Sequence, residues 1–592
     1  MNSKRIGQGM AAVALVASAA CHSLDIQNPN QPDNKRILSD PDAVEAVAAG
    51  AIRTWFNAYE TNRGAGPLTT AARTMSASWN NDPMRFYSSV DNPGNAATTG
   101  YTPTATWYRS NEGYWANDPT RPERVEIESF WVGSEDECCV GNAWPGFFAG
   151  LSSANDALGA IRNNKIVIRS AGDTKRAEVI AELGRGLALM GIALNYDKGY
   201  IIDENTDLSK LEYSDRKTMR NAAVDALKQV ITDAGANSFT TDAKWTNGRS
   251  YSSAQIKQLA ATLAAMTMAY YPRDATEMAA VPWDSVASFA SQGISSGTRF
   301  DFELVADGCA AWCPDHLVWF DEIGTGRINT RVAHLLDPAT QADPWPLSGN
   351  PQPHSADARL GDGTYGDGTL SGGSAALAKD AGGGTDFAWG PAAIYRPDRG
   401  SYHQSNIAMI KFDRTGTEAG TGIAYGFGPV IAISSAQSDL IWAEALLRKS
   451  SPDVAKATQL VNLTRVGRGK LPAAGGEAVG ADTDGPCMST NVSYRTGAAC
   501  SLWAKLLYEK EIEILGLGPS PFYEQRRLPF ITTCTAPVAL PAPGSVTCNG
   551  KHVAGLLPGT PREMPVPAKE LQVKGEALYT FGGAGAAKSP VP

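Results

Sequence analysis

Two segments of the chain carry apolar residues at alternating spacings of three and four positions, the period of one face of an α-helix. The first contains Ile180, Leu183, Leu187, Met190 and Leu194, and the second contains Ile256, Leu259, Leu263, Met266 and Tyr270. Each set predicts a helix that packs through a single apolar face.

Similar patterns predict helices over 147–161, 217–231, 435–447, 454–465 and 502–515. Another begins at Ser39-Asp40-Pro41-Asp42, because proline fits the first helical turn. Ser451 and Pro452 are expected as the cap and first turn of the helix at 454. Small residues within the helices predict close packing of helix–turn–helix repeats; they are Ala154, Ala157, Ala260, Ala261, Ala264, Ala443 and Ala445.

Long irregular stretches rich in glycine, proline and aromatic residues separate these helices, at 61–145, 300–430 and 470–500. Loops beyond about 15 residues are uncommon as simple connectors. Their tryptophans argue against disorder. We therefore expect ordered loops that carry function on a mainly α-helical body with few short strands.

The first twenty residues resemble an export signal, with Lys4 and Arg5 followed by a short apolar stretch. Small residues then precede Cys21, as bacterial lipoprotein processing requires, so Cys21 is expected to carry a lipid anchor. The alternative is ordinary secretion with an incidental cysteine. The 592-residue chain has a net charge of −9, which argues against a nucleic-acid surface, and it lacks an apolar stretch long enough for a helical membrane span.

An anchor at Cys21 leaves an even number of the nine cysteines, in a compartment where disulfides persist. Short loops favour three pairs, namely Cys309 with Cys313, Cys487 with Cys500, and Cys534 with Cys548. The neighbouring Cys138 and Cys139 either bridge each other or pair elsewhere, and the sequence leaves this open.

Two loop segments combine aromatic rings with amide or guanidinium groups, which suits stacking on a sugar or peptide together with forked hydrogen bonds. The candidate ligand-binding residues are Trp79, Asn81, Arg85 and Tyr87 in the first segment, and Trp312, Trp319 and Trp345 in the second. A disulfide between Cys309 and Cys313 is expected to hold Trp312 at a loop tip. The alternative is that these rings pack inside the protein.

Three patterns allow other chemistry but favour a simpler reading. Cys309 and Cys313 with His316 and Asp315 have the types of zinc ligands, but export favours a disulfide, so no metal is expected. The sequence Gly-Ile-Ser-Ser-Gly at 293–297 matches a nucleophile elbow, but it follows a predicted helix where that motif needs a strand. Asp357, Asp362 and Asp367 allow a calcium site, but a solvated glycine-rich loop is favoured.

Six segments in order then resemble one family. They are W-P-G-F at 144–147 with S-A-N-D-A-L at 153–158, A-E-L-G-R-G at 181–186, D-L-I-W-A-E-A at 439–445 with V-N-L-T-R-V-G-R at 461–468, E-K-E-I-E at 509–513, F-Y-E-Q-R-R at 522–527, and M-P-V-P at 564–567 with E-L at 570–571. In this order the chain resembles the SusD/RagB family of nutrient-binding outer-membrane lipoproteins.

The resemblance implies a superhelix of tetratricopeptide-like helical repeats in one domain at 39–583, after a signal peptide at 1–20 and a tether at 21–38, with a tail at 584–592. It also implies a non-catalytic protein without cofactors that faces the cell exterior. This protein binds an oligosaccharide or peptide nutrient and delivers it to a TonB-dependent transporter of the SusC-like kind. A secreted hydrolase acting on a polymer and a protein-interaction scaffold are the alternatives. The resemblance makes Glu509 and Glu513 structural partners of Arg526 or Arg527.

Overall fold

The computed structural model describes residues 37–61, 64–77, 143–320, 326–341, 351–360, 384–389, 405–412, 423–488, 499–528, 547–548, 551–552, 556, 562–564 and 566–576. Helices dominate these residues. They are α1 (Pro41–Tyr59), α2 (Ala65–Ala71), α3 (Ala143–Arg162), α4 (Ala171–Asn195), α5 (Arg216–Ala236), α6 (Ser253–Ala269), α7 (Ala275–Ala279), α8 (Trp283–Ala290), α9 (Asp315–Phe320), α10 (Thr330–Leu336), α11 (Ser435–Arg448), α12 (Val454–Arg465), α13 (Leu502–Glu513), α14 (Ser520–Arg526) and α15 (Ala568–Val573).

Short strands pair in twos beside the helices. They are β1 (Met75–Ala77), β2 (Lys198–Gly199), β3 (Ser214–Asp215), β4 (Phe302–Asp307), β5 (Gly326–Ile328), β6 (Phe387–Trp389), β7 (Ile407–Met409), β8 (Phe427–Ile433), β9 (Thr547–Cys548) and β10 (Lys551–His552). The antiparallel pairs are β1 with β5, β2 with β3, β4 with β8, β6 with β7, and β9 with β10.

The helices stack mainly in chain order, as repeats of helix pairs do. Helix α1 packs on α3 and α4, α4 packs on α5, and α5 packs on α6. The stack continues from α6 to α8 and from α8 to α11, which also packs on α12 and α13. This arrangement confirms the predicted helical-repeat fold, and the bounds of α12 coincide with the predicted 454–465.

Local capping explains where several helices begin. The Asp40 carboxylate accepts the Asp42 N–H at 3.1 Å, with Pro41 in the first turn as predicted. The predicted cap of α12 at Ser451 is wrong, since Asp453 occupies the cap position and accepts the Lys456 N–H at 3.0 Å. Asp453 adjoins the first turn and offers a charged acceptor, so the helix begins after Pro452.

Small residues let the first helices approach one another closely. A Cβ atom placed on Gly184 in α4 would lie 2.7 Å from the Ala51 Cβ in α1. A Cβ on Gly146 in α3 would lie 2.7 Å from the Ala58 Cβ. Because real Cβ atoms do not approach so closely, glycine at both positions sets the spacing of α1, α3 and α4. The predicted small residues in α3, α6 and α11 are also buried.

Regular structure also occurs inside 300–430, although the sequence predicts an irregular stretch there. Strand β4 pairs with β8 from Phe302↔Ile433 to Asp307↔Phe427. Strand β5 pairs with β1, far away in sequence, through Met75↔Ile328. These strands are only three to seven residues long, so their sequence patterns are too short to stand out.

Several predicted features lie outside the described residues. They are the signal peptide, Cys21, Cys138, Cys139 and Cys534, so the pairing of Cys534 with Cys548 stays a prediction. The predicted disulfide between Cys487 and Cys500 is present. Within the described part of the chain, no helix has the length and apolar character needed to cross a membrane.

Candidate functional site

The loop that carries Trp312 folds back onto helix α1. The predicted disulfide joins Cys309 to Cys313 across a Cα–Cα distance of 4.1 Å. The Asn57 side chain clamps the loop from the helix, because its Nδ2 donates to the Ala311 carbonyl at 2.9 Å and its Oδ1 accepts the Cys313 N–H at 3.1 Å. The helix and the disulfide together fix this loop.

Fixing the loop buries most of the Trp312 ring. The side chain is 6% exposed, and its ring centroid lies 6.0 Å from that of Phe56. The Asp307 carboxylate accepts the Trp312 N–H at 3.0 Å, which turns the loop inward. The prediction that Trp312 stands exposed at a loop tip is therefore wrong, and only a small part of the ring remains accessible.

That accessible part borders a cleft of about 670 Å³ beside α1. We call it the Trp245–Trp312 cleft, and it is lined by Asp42, Glu45, Ala46, Ala49, Gly50, Arg53, Arg169, Lys244, Trp245 and Trp312. The six α1 residues in this set share one helix face, since they follow one another at spacings of one, three or four.

Charged side chains surround the cleft, and most of them are paired. Arg169 pairs with Asp42 at 2.7 Å and also with Glu45. Lys244 is exposed and lies 3.2 Å from Asp242. Arg53 differs, because it is exposed and has no hydrogen-bond or ion-pair partner among the described residues.

Asp42 and Glu45 pair with Arg169 and Arg176, and neither acid pairs with Arg53. The second Glu45 oxygen accepts from Arg176 at 2.6 Å, and the Arg176 guanidinium lies 5.3 Å from the centre of the Trp245 ring. Trp245 is itself 4% exposed, so both indoles contribute edges rather than open faces. Arg53 keeps its donors available for a ligand.

This combination has a definite binding chemistry. The small side chains of Ala46, Ala49 and Gly50 leave a shallow apolar floor, and the two indole edges extend it. A guanidinium fork beside such a floor suits a ligand with one apolar face and several hydroxyl or carboxylate groups. An oligosaccharide has this character, and so does a short peptide with a free carboxylate.

The structure does not bring the predicted aromatic residues into a single described site. Trp319 lies in α9, where its Nε1 donates to Asp315 at 3.1 Å, and it does not line the Trp245–Trp312 cleft. Trp79, Asn81, Arg85, Tyr87 and Trp345 lie outside the described residues. Their binding roles stay predictions.

The predicted partners of Glu509 and Glu513 are wrong, although both residues are structural. Both glutamates are buried on α13, one turn apart, and face Arg359, whose Nη1 lies 2.8 Å from Glu509 and 2.7 Å from Glu513. Arg527 instead pairs with Glu444 and Glu524 at 2.6 Å each. Sequence order does not reveal which buried cation meets which carboxylate, since the Arg359 contact spans 150 residues.

Arg359 also pairs with Asp357, one of the three candidate calcium ligands. Asp357 is fully buried and pairs with Arg359 at 2.6 Å, while the Tyr508 hydroxyl donates to it at 2.7 Å. This position belongs neither to a calcium site nor to the solvated loop that the sequence favours. Asp362 and Asp367 lie outside the described residues, within which no cluster of three metal-binding side chains occurs.

The nucleophile-elbow sequence also has a local structural setting. It follows helix α8, and the Ser295 hydroxyl lies 3.2 Å from the Ser438 hydroxyl. Among the described residues no histidine hydrogen-bonds to Ser295.

His316, the residue considered as a metal ligand, is fully buried, with its Nε2 3.2 Å from the Thr69 hydroxyl.

Of the residues that line the cleft, the sequence indicated only Trp312, and Arg53, Lys244 and Trp245 are among those it did not indicate. A detectable pattern existed on α1, where Ala46, Ala49 and Gly50 place small residues on one face beside Arg53. That pattern also fits close helix packing. Nothing in the sequence shows that Trp245, almost two hundred residues away, meets this helix face.

Comparison with solved structures identifies the architecture. A SusD homologue from Parabacteroides distasonis superposes with a TM-score of 0.52 at 13% identity, covering 93% of this chain and 96% of that one. A SusD-like protein from Bacteroides fragilis gives a TM-score of 0.50 at 14% identity, covering 84% and 87%. No family model and no curated protein matches the sequence. At such low identity these similarities show the fold, so the chain has the SusD-like fold.

Proposed function

We propose that this chain, which has the SusD-like fold, is a non-catalytic cell-surface lipoprotein that binds an oligosaccharide and delivers it to a TonB-dependent, SusC-like transporter. The observation that carries the binding proposal is the Trp245–Trp312 cleft, where Arg53 lies beside an apolar floor without a partner among the described residues. The lipid anchor is assigned to Cys21, and the orientation is toward the cell exterior.

The cleft residues divide the work of binding. The apolar floor of α1 and the edges of Trp245 and Trp312 contact the apolar face of a sugar ring. Arg53 donates forked hydrogen bonds to hydroxyl or carboxylate oxygens. Lys244, at the other side of the cleft, is exposed and adds a second donor.

The predicted loop residues extend this proposal. Trp79 follows the last residue of β1 by two positions in the sequence. We assign Trp79, Asn81, Arg85, Tyr87 and Trp345 to the same ligand, and Trp319, which does not line this cleft, to a separate ligand contact. Substituting Trp79 tests this assignment separately from the cleft.

A binding assay on Arg53→Gln is the direct test of the cleft. Because Arg53 is exposed and has no partner in the described part of the chain, this change leaves the fold intact, and it lowers oligosaccharide affinity about tenfold through the loss of charge-assisted hydrogen bonds. Arg220→Gln is the matched control, since Arg220 lies over the Tyr271 ring outside this cleft. Titration calorimetry follows a glycan screen that chooses the ligand.

Four outcomes would contradict the proposal in different ways. Equal affinity of Arg53→Gln and Arg220→Gln rejects the cleft. Binding of peptides but no glycan replaces the ligand class, and binding of neither favours a protein-interaction scaffold. Release of products from the bound ligand that stops in Ser295→Ala shows a hydrolase.

The anchor and the transporter have their own test. Wild-type protein is expected in the membrane fraction together with a barrel protein, whereas Cys21→Ala is expected in the soluble fraction. Normal membrane retention of Cys21→Ala rejects the anchor. Purification from membranes without any barrel partner argues against the delivery step.

A further inference from the structure

A second, larger cleft lies between α7, α11, α13 and α14. We call it the arginine cleft; it has a volume of about 860 Å³ and is lined by Arg273, Asp274, Ala275, Thr276, Met278, Ala279, Trp283, Leu447, Arg448, Gly480, Ala481, Asp482, Trp503, Arg526, Arg527, Leu528 and Arg562. It shares no residue with the Trp245–Trp312 cleft.

Three of its five arginines are paired with carboxylates, and one of them is Arg273, which lies 2.6 Å from Glu563. Arg448 lies 2.8 Å from Glu444 and 2.6 Å from Asp482. Arg527 lies 2.6 Å from both Glu444 and Glu524. The carboxylates neutralise these cations, so the paired arginines have a structural role and leave no excess positive charge on this side of the cleft.

The other side is different, because Arg526 and Arg562 have no carboxylate partner among the described residues. Arg526 donates only to backbone carbonyls, at 2.7 Å to Leu194, 2.9 Å to Arg562 and 3.0 Å to Tyr270. Arg562 donates to the Arg273 carbonyl. The Nε atoms of Arg526 and Arg562 are buried and have no acceptor within the described structure.

Three acids lie near these two cations, and of them Asp274, in the cleft lining, attracts Arg562 without forming an ion pair with it. Glu563 pairs with Arg273 at 2.6 Å, and Glu277 pairs with Arg216. Burial and the like charge of Arg273 hold the pKa of the Arg526 guanidinium well below its usual range. Burying a cation without a counter-charge is costly, so this side of the cleft favours an added negative charge.

We propose that the arginine cleft is an anion-binding site in which Arg526 and Arg562 hold a carboxylate or sulfate group of a small ligand. Planar guanidinium groups match these anions with parallel hydrogen bonds. The buried Nε atoms of Arg526 and Arg562 have no acceptor among the described residues, and an anion held beside these two guanidinium groups supplies the missing negative charge. The site stands apart from the oligosaccharide cleft and does not depend on its function.

The part of the cleft lining around Arg448 suits the apolar ring of such a ligand. Arg448 lies between two indole rings, 5.2 Å from the centre of Trp283 and 4.5 Å from that of Trp503. The two indole rings and Met278 add apolar surface to the lining of the arginine cleft. A sugar acid, with a ring and one carboxylate, combines both features, and inorganic sulfate supplies only the charge.

The test compares three probes at low ionic strength, namely D-glucuronate, inorganic sulfate and the neutral D-glucose. Wild-type protein is expected to bind both anions with saturation and not to bind glucose. Arg562→Gln is expected to lower anion affinity by about ten- to a hundredfold, the effect of losing charge-assisted hydrogen bonds. Tighter binding of glucuronate than of sulfate shows that a ligand carries the anion, whereas equal binding shows a site for a free inorganic anion.

Two controls keep the result interpretable. Arg220→Gln, outside the arginine cleft, is expected to bind the anions like wild type. Crystals soaked in selenate, an anomalous scatterer that mimics sulfate, are expected to show a peak beside Arg526 and Arg562. Absence of saturable anion binding, equal binding by the two variants, glucose binding equal to that of glucuronate, or a selenate map without this peak would overturn the proposal.

Discussion

Arg359 and Arg169 are both arginines that contact several carboxylates, yet they lie in opposite settings. Arg359 is fully buried and contacts Asp357, Glu509 and Glu513. Arg169 is about half exposed and contacts Asp42 and Glu45 at the rim of the Trp245–Trp312 cleft. The same chemistry therefore holds the core together in one place and borders the proposed binding cleft in the other.

The difference shows which charges are free to take part in binding. The buried carboxylates cannot lose their cation without leaving unpaired charge in the core. At the rim of the cleft, water replaces a lost partner at little cost, so charges such as Arg53 remain available to a ligand. The charged motifs near the C-terminal end thus stabilise the fold, and the exposed face of α1 carries the proposed binding chemistry.

Removing the buried cation gives the largest expected effect. Arg359→Met leaves three buried carboxylates without their shared partner, and we expect it to lower the free energy of unfolding by about 3–5 kcal/mol. Arg169→Ala is the matched control and should change stability far less, with an effect that salt weakens further. Chemical denaturation measures both, and similar losses in the two variants would contradict the comparison.

Acid weakens the buried network through Glu513. Burial alone would raise the pKa of this carboxyl, but Arg359 and Lys411 outweigh burial and lower the pKa to about 2. A lowered pKa gives stability that is present above the ordinary value of 4.5 and lost as the pH falls toward 2. We expect Glu513→Gln to be less stable than wild type at pH 7, with a difference that shrinks below pH 4.5. Equal differences in stability at pH 7 and pH 3 would argue against this role of Glu513.

Loosening the cleft wall gives a smaller effect on stability. Asn57→Ala removes two part-buried hydrogen bonds to the Trp312 loop, and we expect a loss of about 1–2 kcal/mol because each such bond contributes about 1 kcal/mol. Oligosaccharide affinity should fall as the Trp312 edge becomes less fixed. Asn163→Ala, an exposed asparagine, serves as control. Unchanged stability and affinity in Asn57→Ala would show that the clamp does not support the cleft.

The helices could be predicted from sequence because their packing leaves a local pattern. The apolar period between Ile180 and Leu194 gives most of α4, and Asp40 with Pro41 gives the start of α1. These features depend on residues within a few turns of one another. The predicted cap of α12 was wrong because two nearby acceptors, Ser451 and Asp453, compete for the cap position.

Long-range pairing explains the errors. Glu509 and Glu513 were expected to meet Arg526 or Arg527, but their cation, Arg359, comes from a distant loop. Trp312 was expected in solvent, but Asn57 and Asp307 turn its loop onto α1. Neither contact follows from local spacing. The cleft itself combines residues from four separate parts of the chain, so only the structure brings Arg53 and Trp245 together.

A crystal structure with bound ligand tests the central claim most directly. The ligand is the oligosaccharide that binds most tightly in the glycan screen, added to the full chain without its signal peptide. We predict a sugar ring on the α1 floor of the Trp245–Trp312 cleft, with an oxygen within hydrogen-bond distance of the Arg53 guanidinium. Ligand density elsewhere, with this cleft empty, would contradict the account.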